Sequence, residues 1–326
     1  MEIGLTYDLR SDYLAAGYNE EETAEFDRDE TILAIEESLN RLGHNTHRIG
    51  QAWQLIERLA RGERWDLVFN ISEGLYGIGR EAQVPAILDV YRIPYTFSDP
   101  LVMSLTLHKG MTKRVIRDAG IPTSDFLIVE REGDEKQVRF SPPYFVKPVA
   151  EGTGKGVSPS SIIHSPEELG PACAELMDRY KQPALVERYL SGREFTVGII
   201  GTGCDARALG SMEVILLAGA EPGVYSYMNK ENSEDLVEYQ PGRAEEDPVV
   251  KLSEEIALQS WRSLGCRDAG RVDIRCDDKG APFFLEVNPL AGLHPDHSDL
   301  PIICKYVNLE YISLIEMIIS SAQKRI

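Results

Sequence analysis

The chain has only five cysteines in 326 residues (Cys173, Cys204, Cys266, Cys276 and Cys304), and none stand in a CxxC or Cys/His ligand spacing. That argues against a thiolate metal site and predicts reduced thiols in a cytoplasmic protein. No apolar run reaches the ~20 residues that span a bilayer. The opening Met1-Glu2-Ile3-Gly4-Leu5 lacks the basic stretch of a secretion signal. Positive charge is scarce: 34 Lys and Arg against 53 Asp and Glu leave a net charge of −19 at pH 7. Such a surface repels nucleic acid and anionic membrane, so neither is expected as a partner; a local basic pocket for a small anion stays compatible with it. Two phosphate-binding signatures are also missing. In "EGTGKGVS", Gly156 stands where a Walker A loop has Ser or Thr after Gly-Lys, and the GxGxG spacing is not the dinucleotide fingerprint. There is no internal repeat and no low-complexity segment.

What is present divides into three parts. The first third alternates strand and helix: strands at Ile3–Asp8 and Trp65–Ser72, helical patterns at Thr31–Leu42, Gln51–Arg61 and Ala82–Val90, then an extended "IPYTFSD". This rhythm predicts an α/β unit with a parallel sheet. The middle predicts a helix over Thr112–Ala119, strands at Asp125–Val129 and Tyr144–Val149, a helix opened by a Ser165/Pro166/Glu168 capping box, and a strand in "PALVERYL". It reads as a small α+β unit. From Arg193 the chain is strand-rich again, with helices at Pro248–Leu264 and Tyr311–Ala322, and a long polar stretch at 219–247 expected as a functional loop. The expected boundaries are 1–105, 106–190 and 191–326.

Four constellations carry chemistry. In "GRVDI" and "PFFLEVNP", a hairpin turning at Asp278–Ala281 is expected to pair Asp273 with Glu286 and Arg271 with Asn288, while registers shifted by two keep the same faces. Strand alternation then puts these four, with Phe284, on one face, and Phe283, Leu285, Val287, Val272 and Ile274 on the other. Carboxylates facing each other at roughly 5 Å repel, and a divalent cation relieves them. With oxygen donors only, magnesium is the expected ion. A solvent-facing hairpin with one Arg–Glu pair fits the same residues. Lys147 interrupts the apolar strand "YFVKP" and needs an anionic partner. The glycines that follow it, Gly152, Gly154 and Gly156, can bring N–H groups to a phosphate or simply form a flexible loop. Glu187 and Glu194 bracket "ERYLSGRE". Lys109 is expected at a helix start after a loop, where a solvated lysine is the commoner case.

Taken in order, Lys109, "FVKP" with its glycine loop, "VERYLSGREFTV", "GRVDI" and "LEVN" resemble the ATP-grasp ligases, in particular the D-alanine–D-alanine ligase branch, over roughly residues 65–315. The resemblance implies an ATP-grasp fold preceded by an N-terminal parallel-sheet (preATP-grasp) domain. It implies that Lys109 and Lys147 contact the nucleotide phosphates. The loop Gly152–Gly156 closes over them, Thr153 matching a family serine. Glu187, Arg188 and Leu190 belong to the adenine strand, and Glu194 meets the ribose. Asp273, Glu286 and Asn288 hold two Mg²⁺ (or Mn²⁺), Arg271 faces the reacting carboxyl, and Lys230 matches a lysine of the mobile loop. A homodimer is also implied.

The implied activity is ATP-dependent ligation: a carboxylate is phosphorylated to an acyl phosphate, and an amine then displaces phosphate. The resemblance weakens on the amino-acid side. Where the family has a glycine-rich stretch after the first strand, this chain reads "TYDLRSDYLAAGYNEEETAEFDRDE", with Glu30 a candidate for the family glutamate. "SEGLYGIGREA" puts Glu73 near a family histidine, and in "GLHPDHSDLP" Ser298 is a candidate contact for a substrate carboxylate, with His294 and His297 beside it. The expected substrates are therefore a small carboxylate or amino acid and an amine. D-alanine ligation for the cell wall is the narrower alternative, and a non-catalytic nucleotide-binding module the alternative of a different class. A kinase releasing the phosphorylated acid would turn over without amine.

Overall fold

The computed structural model describes residues 1–326 and contains three sheets. In the first, β1 (Glu2–Tyr7) lies between β2 (Asn45–Gly50) and β3 (Leu67–Ile71), all parallel. β3 is buried at every position, as a strand covered on both faces must be. The stretch after helix Gln83–Tyr91 adds only a bridge from Tyr95 to Val68. Helix Asp29–Arg41 sets Ile32, Ile35 and Leu39 against Ile3, Leu5 and Phe69, and the last helix, Tyr311–Gln323, joins the same core through Leu314, Ile315 and Ile318. Each such buried side chain contributes about 1.5–3 kcal/mol.

The second sheet is antiparallel, in the order β4 (Phe126–Val129), β7 (Ala184–Arg188), β5 (Tyr144–Pro148), β6 (Ile162–Ile163), with helix Pro166–Tyr180 packed on it. The third is a five-stranded antiparallel sheet with β8 (Glu194–Ile200) at its centre. Beyond it on one side lie β9 (Arg207–Leu216) and β10 (Val237–Pro241), and on the other β11 (Ala269–Cys276) and β12 (Pro282–Asn288). Helix Pro248–Leu264 covers it, burying Trp261, Ile256 and Ala257 against Phe195, Val197 and Ile274. Gly265 ends that helix at φ +75°, a conformation that costs glycine nothing.

Several expectations need correction. Lys109 does not follow a loop: helix Pro100–Leu107, capped by Asp99, runs straight into helix Lys109–Asp118 through His108. The Ser165 side chain makes no capping bond, so that capping box is not formed. The polar stretch 219–247 is not all loop. It holds short helices Tyr227–Glu231 and Ser233–Leu236 and the edge strand β10. Helices Arg10–Ala15 and Asp299–Tyr306 carry no clear period in the sequence and were not expected.

The β11–β12 register matches at the functional end, Arg271 opposite Asn288 and Asp273 opposite Glu286. A bulge then shifts it, so that Ile274 opposes Phe284. The extra residue reverses the expected faces beyond it: Phe284 turns into the core beside Val287, and Leu285 turns towards the same cavity as Glu286.

Candidate active site

The second and third sheets flank a cavity that is partly open to solvent. In a chain of net charge −19, six cationic side chains line it: Lys109, Lys147, Lys155, Arg188, Lys230 and Arg275. Lys147 projects from β5 with its Nζ 3.0 Å from Glu187 Oε2 and 3.7 Å from Glu286 Oε2; Lys109 Nζ is also 3.7 Å from Glu286 Oε2 and donates to the Glu151 carbonyl at 2.5 Å. Glu187 is also gripped from behind by Lys113, whose Nζ is 2.7 Å from Glu187 Oε1 and reaches Thr123 as well. Burial alone would raise the Glu187 carboxyl, but Lys113 and Lys147 bring it down to about 2. Lys113 is wholly buried and was missed by the sequence reading. The available signal was a lysine three residues before the buried Ile116, on the apolar side of its helix.

At the far side of this cavity stand Phe145 and Tyr189, roughly parallel with ring centroids 6.2 Å apart, together with Arg188, Leu190 and Glu194. Glu194 pairs with Arg275 at 3.1 Å, and the Arg275 guanidinium lies 5.3 Å from the Tyr189 ring centroid. This apolar slot with a polar edge suits a flat heterocycle.

The wall towards the next cavity is the β11–β12 pair. Asp273 accepts from Arg271 at 2.8 Å, from Thr196 at 3.0 Å and from Asn288 at 3.4 Å. Burial pushes Asp273 up to about 6, against the pull of Arg271 and with the help of Glu286. Glu286 moves the other way: burial opposes it, yet Lys109, Lys147 and Lys230 hold it well below the usual carboxylate range. Asp273, Glu286 and Asn288 thus present hard oxygen donors beside buried, incompletely compensated charge, which suits a divalent cation. No three acidic, imidazole or thiol groups close around one ion. The site is open, as one completed by phosphate oxygens and water would be. Arg271 also pairs with Asp299 at 3.0 Å.

A second, larger cavity adjoins the first, and Lys109, Tyr225 and Lys230 line both. Lys230 lies 4.6 Å from the Tyr225 ring centroid. Arg271, Asn288, Thr153, Glu73 and Ser298 face the second cavity, as do His294 and His297. Ser298 Oγ accepts from the His294 N–H at 2.9 Å.

Two sequence candidates fall elsewhere. Glu30 is exposed in the first turn of its helix and lines neither cavity, because the helical turn carries it outward. Gly156 lines neither as well; a Cβ there would meet Pro148 and Tyr180. Gly154 does line the first cavity, at φ +73°, and a Cβ would lie 2.9 Å from the Tyr227 amide nitrogen, so only glycine lets this loop touch the 219–247 segment.

The residue that reaches the glycine loop from the N-terminal part is Glu25, absent from the sequence reading. It accepts from the Gly152 N–H at 2.5 Å and pairs with Arg80 at 2.8 Å and Lys155 at 3.5 Å, while Arg80 donates to the Ala150 carbonyl at 2.9 Å. Burial would raise this carboxyl, but Arg80 and Lys155 bring it down to about 2.

Two antiparallel units closing on a lysine-lined cavity, with acidic oxygens on the opposite strand pair, define the ATP-grasp class. The family model described as "D-ala D-ala ligase C-terminus" matches residues 115–320, and the chain belongs to that family. Its relatives include the D-alanine–D-alanine ligases of Aquifex aeolicus, 31% identical over 89% of this chain and 94% of the relative, and of Bordetella petrii, 29% identical over 91% and 88%. Another relative, y4sG of Sinorhizobium fredii, is 34% identical over 79% and 75%. Among solved structures, the fold matches the Bacillus anthracis D-alanine–D-alanine ligase complexed with ATP, with a TM-score of 0.74, 21% identity and coverage of 99% and 98%. It also matches the VanG D-Ala:D-Ser ligase of Enterococcus faecalis, with a TM-score of 0.74, 20% identity and coverage of 98% and 99%.

Proposed function

We propose that this protein is an ATP-dependent, ADP-forming ligase that joins a small carboxylate, in our reading an amino acid, to an amine through an acyl phosphate. One observation carries the reading: Lys109 and Lys147 line one cavity together with Asp273 and Glu286, each lysine 3.7 Å from the Glu286 carboxylate, and Arg271 and Asn288 on the same strand pair line the adjoining cavity. Family membership supports the same chemistry. The working organisation is 1–105, 106–190 and 191–326, with the nucleotide between the last two parts and the amino-acid substrates against the first.

In this reading Lys109 and Lys147 bind the phosphates, and Gly152–Gly156 with Thr153 fold over them. Glu187 holds Lys147 in place. Glu194, Arg188 and Leu190 face the nucleoside. Asp273, Glu286 and Asn288 hold magnesium, two ions in our proposal, whose role when bound is to neutralise charge on the transferring phosphoryl group. Arg271 orients the carboxylate and, once the amine has attacked, stabilises the tetrahedral oxyanion. One such donor is typically worth about 10²–10³ in rate. Lys230, carried on the 219–247 segment, reaches both cavities and supplies charge at the point of transfer. The same segment excludes water from a hydrolysable intermediate. The amine loses its proton, the new C–N bond forms, and phosphate leaves. We further propose a cytoplasmic enzyme, working as a homodimer.

The test is ADP release measured with amino acids and amines in pairs, with product masses. The reading requires Mg²⁺-dependent turnover that needs both partners. Turnover without amine would make the protein a kinase, and nucleotide binding without turnover would make it a binding module. The names of the relatives favour D-alanine as the first compound to try, and rapid formation of its dimer would establish the narrower activity.

A further inference from the structure

The second cavity holds acidic groups that the fold does not neutralise. Glu25 is engaged by Arg80, Lys155 and the Gly152 N–H. Glu73, just after β3, and Glu81, in the single 3-10 turn Arg80–Ala82, are different. Both line the cavity and are half-buried, and neither is held by an ion pair or a hydrogen bond within the protein. Arg80, the cation acting on both, is already committed to Glu25 and the Ala150 carbonyl. Burial followed by neighbouring acids pushes Glu73 well up; burial and Glu25, against the pull of Arg80 and Lys109, push Glu81 up to about 7. Two unpartnered carboxylates enclosed beside a reaction site destabilise the fold unless a ligand brings positive charge.

In the ligase reading this cavity takes the organic substrates. Glu73 and Glu81 line the same cavity and Glu73 feels the charge of Glu81, which suits an organic cation that can reach both. At the junction with the nucleotide cavity the lining is of the opposite sign, Lys109, Lys230 and Arg271, and suits a carboxylate. The cavity therefore has an anion-binding end next to the phosphoryl donor and a cation-binding part beyond it.

Resting on the ligase reading above, we propose that the carboxylate substrate is a basic amino acid, whose side chain ends in an ammonium or guanidinium group received by Glu73 and Glu81. The α-carboxylate meets Arg271, and the side chain extends to Glu73 and Glu81. The α-ammonium of any amino acid can pair with one of the two carboxylates, but a neutral side chain of equal length leaves the other unpaired, and binding sites built from charged partners reject such analogues strongly.

The experiment uses the full chain with Mg²⁺, ATP and hydroxylamine, which traps the acyl phosphate as a hydroxamate whatever the natural amine. Lysine, ornithine and arginine of both configurations are compared with norleucine, citrulline and alanine. The expected kcat/KM for a basic amino acid exceeds that of its neutral isostere by about tenfold or more. Glu73→Gln and Glu81→Gln are each expected to shrink that ratio, and Glu81→Lys to invert it, with thermal melting used to confirm folding. Equal rates for lysine and norleucine, or a ratio unmoved in both glutamine variants, would overturn this proposal while leaving the ligase reading intact. Failure of every carboxylate to give hydroxamate would overturn the ligase reading itself, and this proposal with it.

Discussion

Asp273 and Glu286 face each other across β11 and β12, yet their surroundings drive them in opposite directions. Asp273 is pushed up to about 6 by burial and by Glu286, while three lysines keep Glu286 ionised. The pair therefore holds one firmly ionised carboxylate, Glu286, and one, Asp273, whose proton burial favours although Arg271 is bonded to it.

Asp273→Asn removes the second charge without removing the side-chain volume. Arg271 keeps Asp299 as a partner, so the fold should persist. Magnesium-dependent ADP release should drop by about 10²–10³, with a melting temperature at pH 7 equal to or above that of the parent. Full turnover in this variant would remove Asp273 from the metal site.

The same group sets a pH dependence. Because its folded value, about 6, lies above the ordinary carboxylate value, the folded protein holds more protons than the unfolded chain between about 4 and 6. Its contribution to stability is present at low pH and is lost as pH rises through that window. Glu187, down at about 2, contributes with the opposite sign: its stabilisation is present above the ordinary carboxylate range and is lost as pH falls towards 2. Magnesium competes with the Asp273 proton, so the stabilisation of the protein by Mg²⁺ and ATP should fade below about pH 6. Melting temperatures from pH 5 to 8, with and without Mg²⁺ and ATP, would check it.

Lys113→Met tests the buried cluster. It leaves Lys147 as the one cation on Glu187, with the Ser124 hydroxyl still donating at 3.1 Å, so Lys147 is drawn towards Glu187 and away from the phosphates it is proposed to bind. Breaking such a buried pair costs about 3–5 kcal/mol, read by urea unfolding, and the KM for ATP should rise. An unchanged KM in folded protein would confine Lys113 to a packing role.

Glu25→Gln tests the tether between the N-terminal part and the glycine loop. Arg80 and Lys155 lose their shared carboxylate, and the Gly152 N–H keeps only a neutral acceptor. Limited proteolysis within 150–158 should quicken, and the KM for ATP should rise several-fold. Protection equal to the parent would show that the loop is set by its own sequence.

The pairing of Asp273 with Glu286 was legible because it is local. Alternation along each strand and a short turn fix which side chains oppose, with few residues between them. The order of Lys109, Lys147, Glu187 and Glu194 was legible for a related reason, since each sits on or beside a strand or helix whose pattern announces itself. Helices Arg10–Ala15 and Asp299–Tyr306 were not, being too short to display a period.

The sequence by itself determined the family resemblance, through the order of Lys109, "FVKP", "VERYLSGREFTV", "GRVDI" and "LEVN"; taken singly, these residues also fit a solvated surface. Only the tertiary structure decided that Lys113 backs Glu187, that Glu25 rather than Glu30 reaches the glycine loop, and that a bulge turns Leu285 towards the nucleotide cavity. These depend on contacts between residues 74 and 127 positions apart, or on one extra residue in a ladder, and such choices are made by packing of the whole molecule rather than by local pattern.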